Sequence, residues 1–383
     1  MLSGDNGILQ RATTAKENTD NAQIKERIQL AYLSAISGGQ ENLTEETFKN
    51  ELIKEFGASK IKDDTISTSE DGKTWTVTID GASAEVAAVD TTPTEPQPGE
   101  SGYAGGSYND PYIPVGFTHT GSENWNYGYT ITGNADSENP GDKFVWVPCS
   151  TEATPPDGVV KFEKITTGKY NSNNLWLHPT GGINSNVDSE DSTVAEIRTS
   201  VETYGGFYIA KYEAGIEGEI NNKNLDTKTL ADGSIKPLSQ EGKGVWDAIT
   251  RTEALIISKA MIPSTTGTKS TLISGECWDT TLAWITATAD SEYAENSEGK
   301  GWYRQSSASQ IHTTGYYGTN TNNIFDMGGN AYEYTSENCF HGIQDAVARG
   351  GDCTLNGTYN PASLRDYWSA ESYVYGFRVV LYK

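Results

Sequence analysis

The stretch from 91 to 110, TTPTEPQPGESGYAGGSYND, divides the chain. It combines Pro, Gly, Ser and acidic residues and offers few side chains from which a core can be built. Such a segment is extended where proline dominates and flexible where glycine and serine do. The expected organisation is therefore a stem over 1–90, a linker over 91–110 and one compact head over 111–383.

The stem reads as helix, helix, sheet. Within 8–37, Ile8, Leu9, Ala12, Ile24, Ile28, Ala31, Leu33 and Ile36 recur at roughly helical spacing, and Ser37-Gly38-Gly39 ends the pattern. Thr44 is the expected N-cap of a second helix over 44–57. Glu45 and Glu46 occupy its first turn, and Phe48, Leu52, Ile53 and Phe56 its apolar face. Thr74–Asp80 and Ser83–Val89 follow as strands joined by a tight turn at Gly81.

The head carries most of the rings: the chain has 21 Tyr and 9 Trp beside 40 Gly, so its core packs on aromatics rather than on long aliphatic helices. GDKFVWVPC (141–149) and YGGFYIAKYEAG (204–215) are aromatic and β-branched runs bounded by turn residues, hence strands. GVWDAITRTEALIISKAM (244–261) reads as an amphipathic helix with Trp246, Ile249, Leu255 and Ile256 on or near one face. TLISGECWDTTLAWITAT (271–288) reads as a second helix starting near Gly275 or Glu276. Strand signals recur at 346–349 and 376–382. Short strands, two helices and long glycine-rich connections make an α+β head.

Charge and cysteine usage exclude several functions. A net charge of -24 leaves no basic surface for nucleic acid or anionic lipid, and suits a secreted protein. No apolar run is long enough to span a bilayer, so no direct membrane contact is expected of this stretch. Cys149, Cys277, Cys339 and Cys353 form no CxxC pair, which argues against zinc. They are either four unpaired thiols or include one disulfide, Cys339 with Cys353 being one pairing. Gly350-Gly351 lacks the strand–GxGxxG–helix setting of a nucleotide site.

Two arginines stand inside apolar runs, Arg349 in VARGGD and Arg378 in GFRVVL. A guanidinium there needs a buried acid, and Asp326 and Glu333 are the candidates for a structural ion-pair network. In IFDMGGNAYEYTSE, Gly328-Gly329 permits a turn, after which Tyr332 and Tyr334 face one way and Glu333 the other.

The opening LSGDNGILQRATTAKENTDNAQIKERIQLAYLSA resembles the stretch after the membrane helix in type IV pilin-like proteins of Gram-positive bacteria. That resemblance covers about 90 residues. It implies that a leader and the apolar first half of the helix are absent here, Met1 being an added start, and that other pilins are partners.

The head resembles the formylglycine-generating enzyme (sulfatase-modifying factor) family, whose scaffold is a variant of the C-type lectin fold. The matching stretches are FVWVP (144–148), GGFYIAKYEAG (205–215), WDAITRTEALIISKA (246–260), NNIFDMGGNAYEYTSE (322–337), VARGGD (347–352) and GFRVVL (376–381). The family's activity needs two cysteines shortly after RGG. Those positions fall near Leu355 and Asn360, and Cys353 is out of place, so an oxidase is disfavoured.

A second branch of this fold, the variable proteins of diversity-generating retroelements, uses the segment between RGG and GFR as a mutable binding surface. Here that segment holds Asp352, Cys353, Leu355, Asn356, Thr358, Leu364, Asp366, Tyr367, Trp368, Ser369, Glu371, Ser372, Tyr373 and Tyr375. Tyr, Trp, Ser, Asp and Asn suit a paratope, because rigid rings give area at low entropy cost and small polar groups adapt. The resemblance also implies a calcium site matched by Asn330 and Glu333, with Asp326 one turn earlier; no other cofactor is expected. The expected protein is a non-enzymatic adhesin, extracellular and pilus-associated at a cell surface, bacterial or prophage-encoded, with an unknown protein or glycan ligand. A structural minor pilin is the other reading.

Overall fold

The computed structural model describes residues 26–28, 30–31, 33–35, 45–62, 65–67, 74–80, 83–89, 96–164, 191–217, 234–262, 266–304, 310–317, 321–341, 344–368 and 374–383. The chain forms two compact units, Met1–Glu95 and Pro96–Lys383.

In the first unit, residues 26–28, 30–31 and 33–35 are helical. Ile28, Ala31 and Ala35 are buried, one face at i, i+3 and i+7, while Leu33, expected on that face, is exposed. The rest of the expected 8–37 helix, the cap Thr44 and the turn at Gly81 lie outside the described residues. Helix α1 (Glu45–Phe56) buries Phe48 and Leu52. Arg27 Nε donates to Glu55 at 2.7 Å, and its guanidinium lies 4.3 Å over the Phe56 ring, tying the two helical pieces together. Strands β1 (Ile61–Lys62), β2 (Thr65–Ser67), β3 (Thr74–Asp80) and β4 (Ser83–Val89) pair antiparallel in sequence order.

The second unit is α+β. Its main sheet comprises β5 (Phe117–Thr120), β6 (Thr130–Gly133), β7 (Lys143–Ser150), β8 (Val160–Lys161), β9 (Gly206–Ala210), β12 (Lys269–Leu272) and β17 (Val379–Tyr382). The order is β12-β17-β9-β7-β6-β5, with β8 paired parallel to β7. A two-stranded ribbon joins β10 (Gly215–Ile216) to β11 (Gly244–Val245). A second sheet runs β15 (Arg365–Trp368), β14 (Gln344–Arg349), β13 (Tyr332–His341), β16 (Tyr375–Phe377). Its β13–β16 pair is parallel and the others antiparallel.

The apolar run FVWVP is continuous because β7 is covered on both faces. Phe144, Trp146, Tyr208 and Ala210 join one core with Tyr112 and Phe377. Val145, Val147, Phe207 and Ile209 join the other, with Ile197 and Val201 of α2 (Thr193–Tyr204) and Trp278 and Leu282 of α4 (Gly275–Thr288). Ser274 caps α4 by accepting from the Cys277 N–H, so the expected start near Gly275 is where the helix begins.

Three expectations change. Residues 96–110, assigned to the linker, pack on the head: Trp146 Nε1 donates to the Tyr108 carbonyl at 2.9 Å, and the Ile113 N–H donates to the Tyr103 carbonyl at 2.9 Å. Their glycines and prolines serve ordered turns held by two tyrosines. Helix α2 was not anticipated, because its buried face mixes Thr193 and Ser200 with Val194, Ile197 and Val201, which blurs the apolar period. The helix expected over 244–261 is shorter: Gly244–Val245 is strand, Ala248 has φ 52°, and α3 spans Arg251–Ala260. A capping box starts α3, with Thr250 accepting from the Glu253 N–H and Glu253 accepting from the Thr250 N–H. Its buried face is Ala254, Ile257 and Ser258, while Trp246 and Ile249 are buried ahead of the helix.

Replacing Thr250 by Ala removes one side of this reciprocal cap. It should lower unfolding stability by about 1 kcal/mol, read as a shifted urea midpoint with an unchanged slope.

Candidate ligand-binding surface

The site rests on a buried frame. Strand β13 alternates as expected: Tyr332 and Tyr334 stack on Tyr375, with ring centroids 5.1 and 5.4 Å away, while Glu333 faces Arg378. Arg378 Nε donates to Glu333 at 2.9 Å, Nη1 to the Ala210 carbonyl at 3.0 Å and Nη2 to the Phe325 carbonyl at 2.8 Å. The expected partner Asp326 is buried nearby and accepts the Gly315 N–H at 2.7 Å. Arg349 takes different partners from those expected: it pairs with Asp279 of α4 and lies 3.5 Å from Glu337. Glu337 also accepts from Arg365 Nε at 3.1 Å and pairs with Lys164 at 2.5 Å. The signal for Asp279 is its position inside the apolar run CWDTTLAW, where a lone acid needs a cation.

Between these anchors the chain leaves β14 through Gly350 (φ 90°) and Gly351 (φ 69°). A Cβ at Gly351 would fall 2.3 Å from the Asn360 carbonyl, so the loop 352–360 closes on the glycine itself. Short-range bonds shape the loop: Asp352 Oδ1 accepts from the Thr354 N–H and hydroxyl, and Asn356 Oδ1 from the Tyr359 N–H. Thr358 and Tyr359 are exposed, and Leu355, Asn356 and Asp366 half-buried.

Four residues assigned to contact are instead buried. Asp352 turns inward to make its bonds with Thr354, and Cys353 is a free thiol whose N–H donates to the Asn330 carbonyl at 3.0 Å. Leu364 packs in the core with Phe377 and Tyr375, and Tyr375 is held in the tyrosine stack. Tyr367 and Trp368 are described by their backbone in β15, an edge strand, opposite Val347 and Ala346. Ser369, Glu371, Ser372 and Tyr373 lie outside the described residues.

Sequence reasoning missed an aromatic group beside this loop. Trp302 packs edge-on against His312 (4.5 Å) and Tyr316 (5.4 Å), and His312 stacks on Tyr316 at 3.9 Å. Tyr316 is 55% exposed. The group is latched to the tail: Arg304 N–H donates to the Leu355 carbonyl, Tyr303 OH to the Gly350 carbonyl, and Asn330 N–H to the Trp302 carbonyl. The signal was the ring-rich pair of runs GWYR and IHTTGYYG, which show no strand or helix period.

The three residues expected to hold calcium converge, but not as a metal site. Glu333 is committed to Arg378, Asp326 accepts from Gly315, and Asn330 donates its amide to Glu213 while its oxygen accepts the His312 N–H at 3.0 Å. With their oxygens engaged by protein donors, they do not fit a hard cation, and no cluster of three or more metal-ligating side chains occurs among the described residues.

Burial, together with the charges of Asp326 and Glu333, pushes Glu213 well above the usual carboxylate range. Burial likewise raises Asp326 to about 6, against the Gly315 N–H and Arg378. Cys353 is pushed up to about 12 by burial and the adjacent Asp352.

Neither a family model nor a curated protein matches the chain. Solved structures similar to it include PvdO from Pseudomonas aeruginosa, at 14% identity and TM-score 0.33, covering 47% of this chain and 82% of that one. CarF is similar at 15% identity and TM-score 0.31, covering 51% and 93%. Treponema denticola variable protein 1 is similar at 15% identity and TM-score 0.24, covering 45% and 62%.

A carboxyl whose folded pKa is raised stabilises the fold below its unfolded pKa and loses that stability as pH rises through the folded value. The melting temperature should therefore rise as pH falls from 7.5 toward 5. Asp326→Asn should raise it at pH 7.5 and flatten that part of the profile. Below pH 4 stability should fall, because Glu337, held low against burial by Arg365, Lys164 and Arg349, must then be protonated.

Proposed function

We propose that the second unit is a ligand-binding domain of C-type-lectin-like fold whose contact surface is the loop after Arg349–Gly351 together with the aromatic group around Trp302. One observation carries the reading: the loop's Asp352 and Asn356 side chains bond within the loop, while the frame on either side is held by arginines paired with distant acids. Contact residues can change in such an arrangement without disturbing the core, as a diversified binding surface requires. Exposed Tyr316 and Tyr359, with Thr358 and half-buried Asn356, supply the rings and small polar groups of a paratope.

The same reading makes the head non-enzymatic. Cys353 is buried and its thiolate strongly disfavoured, so it is a poor nucleophile. We take the first unit as a pilin-like stem that displays the head at a cell surface. The helix followed by a four-stranded antiparallel sheet supports that role.

Two measurements test this proposal. Probing protein and glycan arrays with the full chain should return a ligand whose binding weakens by about tenfold or more in Tyr316→Ala or Tyr359→Ala, as for a central aromatic anchor. A ligand insensitive to both variants and to changes at Asn356 would sink the reading. A library randomised at 358 and 359 should keep most members within about 0.5 kcal/mol of the parent. Arg349→Ala or Glu333→Gln should each cost about 3–5 kcal/mol by stranding a buried charge. In the native chain, Cys353 should resist iodoacetamide at pH 8 and react only on unfolding.

A further inference from the structure

Away from the tail, a pocket of about 280 Å³ opens between the end of α4, the turn at 321–324 and Tyr127. None of its described lining residues belongs to the 349–378 segment. The turn is a tight one: Thr321 and Ile324 exchange two backbone bonds of 3.1 Å, and Asn322 (φ 51°) and Asn323 (φ 65°) adopt the left-handed pair that asparagine tolerates.

This geometry fixes the Asn322 amide. Its Nδ2 donates to Thr288 Oγ1 at 2.6 Å, and that hydroxyl spends its own proton on the Trp284 carbonyl, also at 2.6 Å. The amide therefore cannot be reversed, and its oxygen faces away from Thr288. Asn322 is 5% exposed, and among the described residues that oxygen receives no donor. A buried acceptor without a donor is costly, so the site favours a hydroxyl there, direct or through an ordered water.

The wall of the pocket carries a Lys300–Asp290 pair at 2.8 Å, with the two side chains 22% and 32% exposed. Its charges cancel. A charged ligand would have to break the pair, but two adjacent hydroxyls need not. One accepts from the ammonium, which keeps a spare N–H, while the other donates to the carboxylate. Tyr127, 53% exposed, offers a flat apolar face at the rim. The volume lies at the lower edge of ligand pockets, about 300 Å³, and suits one ring rather than an extended chain.

We propose that this pocket binds a single neutral pyranose unit of a glycan. Adjacent hydroxyls engage Lys300 and Asp290, a further hydroxyl reaches toward the Asn322 oxygen, and the apolar ring face lies on Tyr127. Its described lining residues are not those of the proposed tail surface, and the reading does not depend on what that surface binds.

The test is saturation-transfer NMR and calorimetry of the full chain with methyl α-D-glucopyranoside, methyl α-D-galactopyranoside and methyl α-D-mannopyranoside. At least one should bind with a millimolar constant. Tyr127→Ala and Asn322→Gly, the latter keeping the left-handed turn, should each weaken it by about tenfold or more. Val115→Ala, exposed and part of neither surface, should leave it unchanged. Absence of binding by all three glycosides, binding indifferent to both pocket variants, or tighter binding of glucuronate than of the neutral sugars would each overturn the proposal.

Discussion

Arg378 enters the core where three segments meet, and it bonds to all of them. Its guanidinium reaches Glu333 on β13, the carbonyl of Ala210 at the end of β9 and the carbonyl of Phe325 in the loop before β13. A buried ion pair is a weak source of net stability compared with apolar side chains of the same shape, yet removing one partner strands the other. Its effect is therefore on arrangement: main sheet, second sheet and loop hold one relation to each other. The excess of acid around that arginine follows directly. Glu213 and Asp326 share its surroundings, and burial pushes both toward the protonated form.

A second node does the same at the other end of the tail. Arg349 ties β14 to α4 through Asp279, and Arg365 ties β15 to β13 through Glu337. Between the nodes, Asp352 bonds to Thr354 and Asn356 to Tyr359. The frame is fixed by partners far apart in sequence and the loop by partners within three residues. The bonds that leave the loop are made mostly by its backbone, to Asn330, to Arg304 and to the 296–298 turn through Gly357, while the side chains of Thr358 and Asn360 reach Asn296 and the Tyr332 hydroxyl.

That difference in range also explains how much was legible in the sequence. Elements with a local signature were readable: β7 and β9 from their aromatic and β-branched runs, α4 from its apolar face, and the opposed faces of Tyr332, Glu333 and Tyr334 from strand alternation. Asp279 was not, because the acid that meets Arg349 lies on a helix seventy positions earlier. The start of α3 was misjudged because Trp246 and Ile249 fit a helical period although they are buried from a loop. Residues 96–110 looked like linker because turn-forming composition does not reveal that Tyr103 and Tyr108 have partners. The aromatic group at 302–317 has no period at all, and only its folded latch to Leu355 marks it.

Burial within the tail narrows what a changing surface can change. Cys353, Leu364 and Tyr375 lie between RGG and GFR, yet each is packed as core, and Asp352 spends its carboxylate on the turn. Composition treats these positions like their neighbours, since a tyrosine in a stack and a tyrosine in a paratope are the same letter. The freedom to vary at least cost falls to Thr358 and Tyr359, which are exposed, and then to half-buried Thr354 and Asn356, whose side chains bond within the loop. A surface so limited needs fixed rings beside it to gain area. Trp302, His312 and Tyr316, latched to the loop's backbone rather than to its side chains, provide that area whichever residues the loop carries.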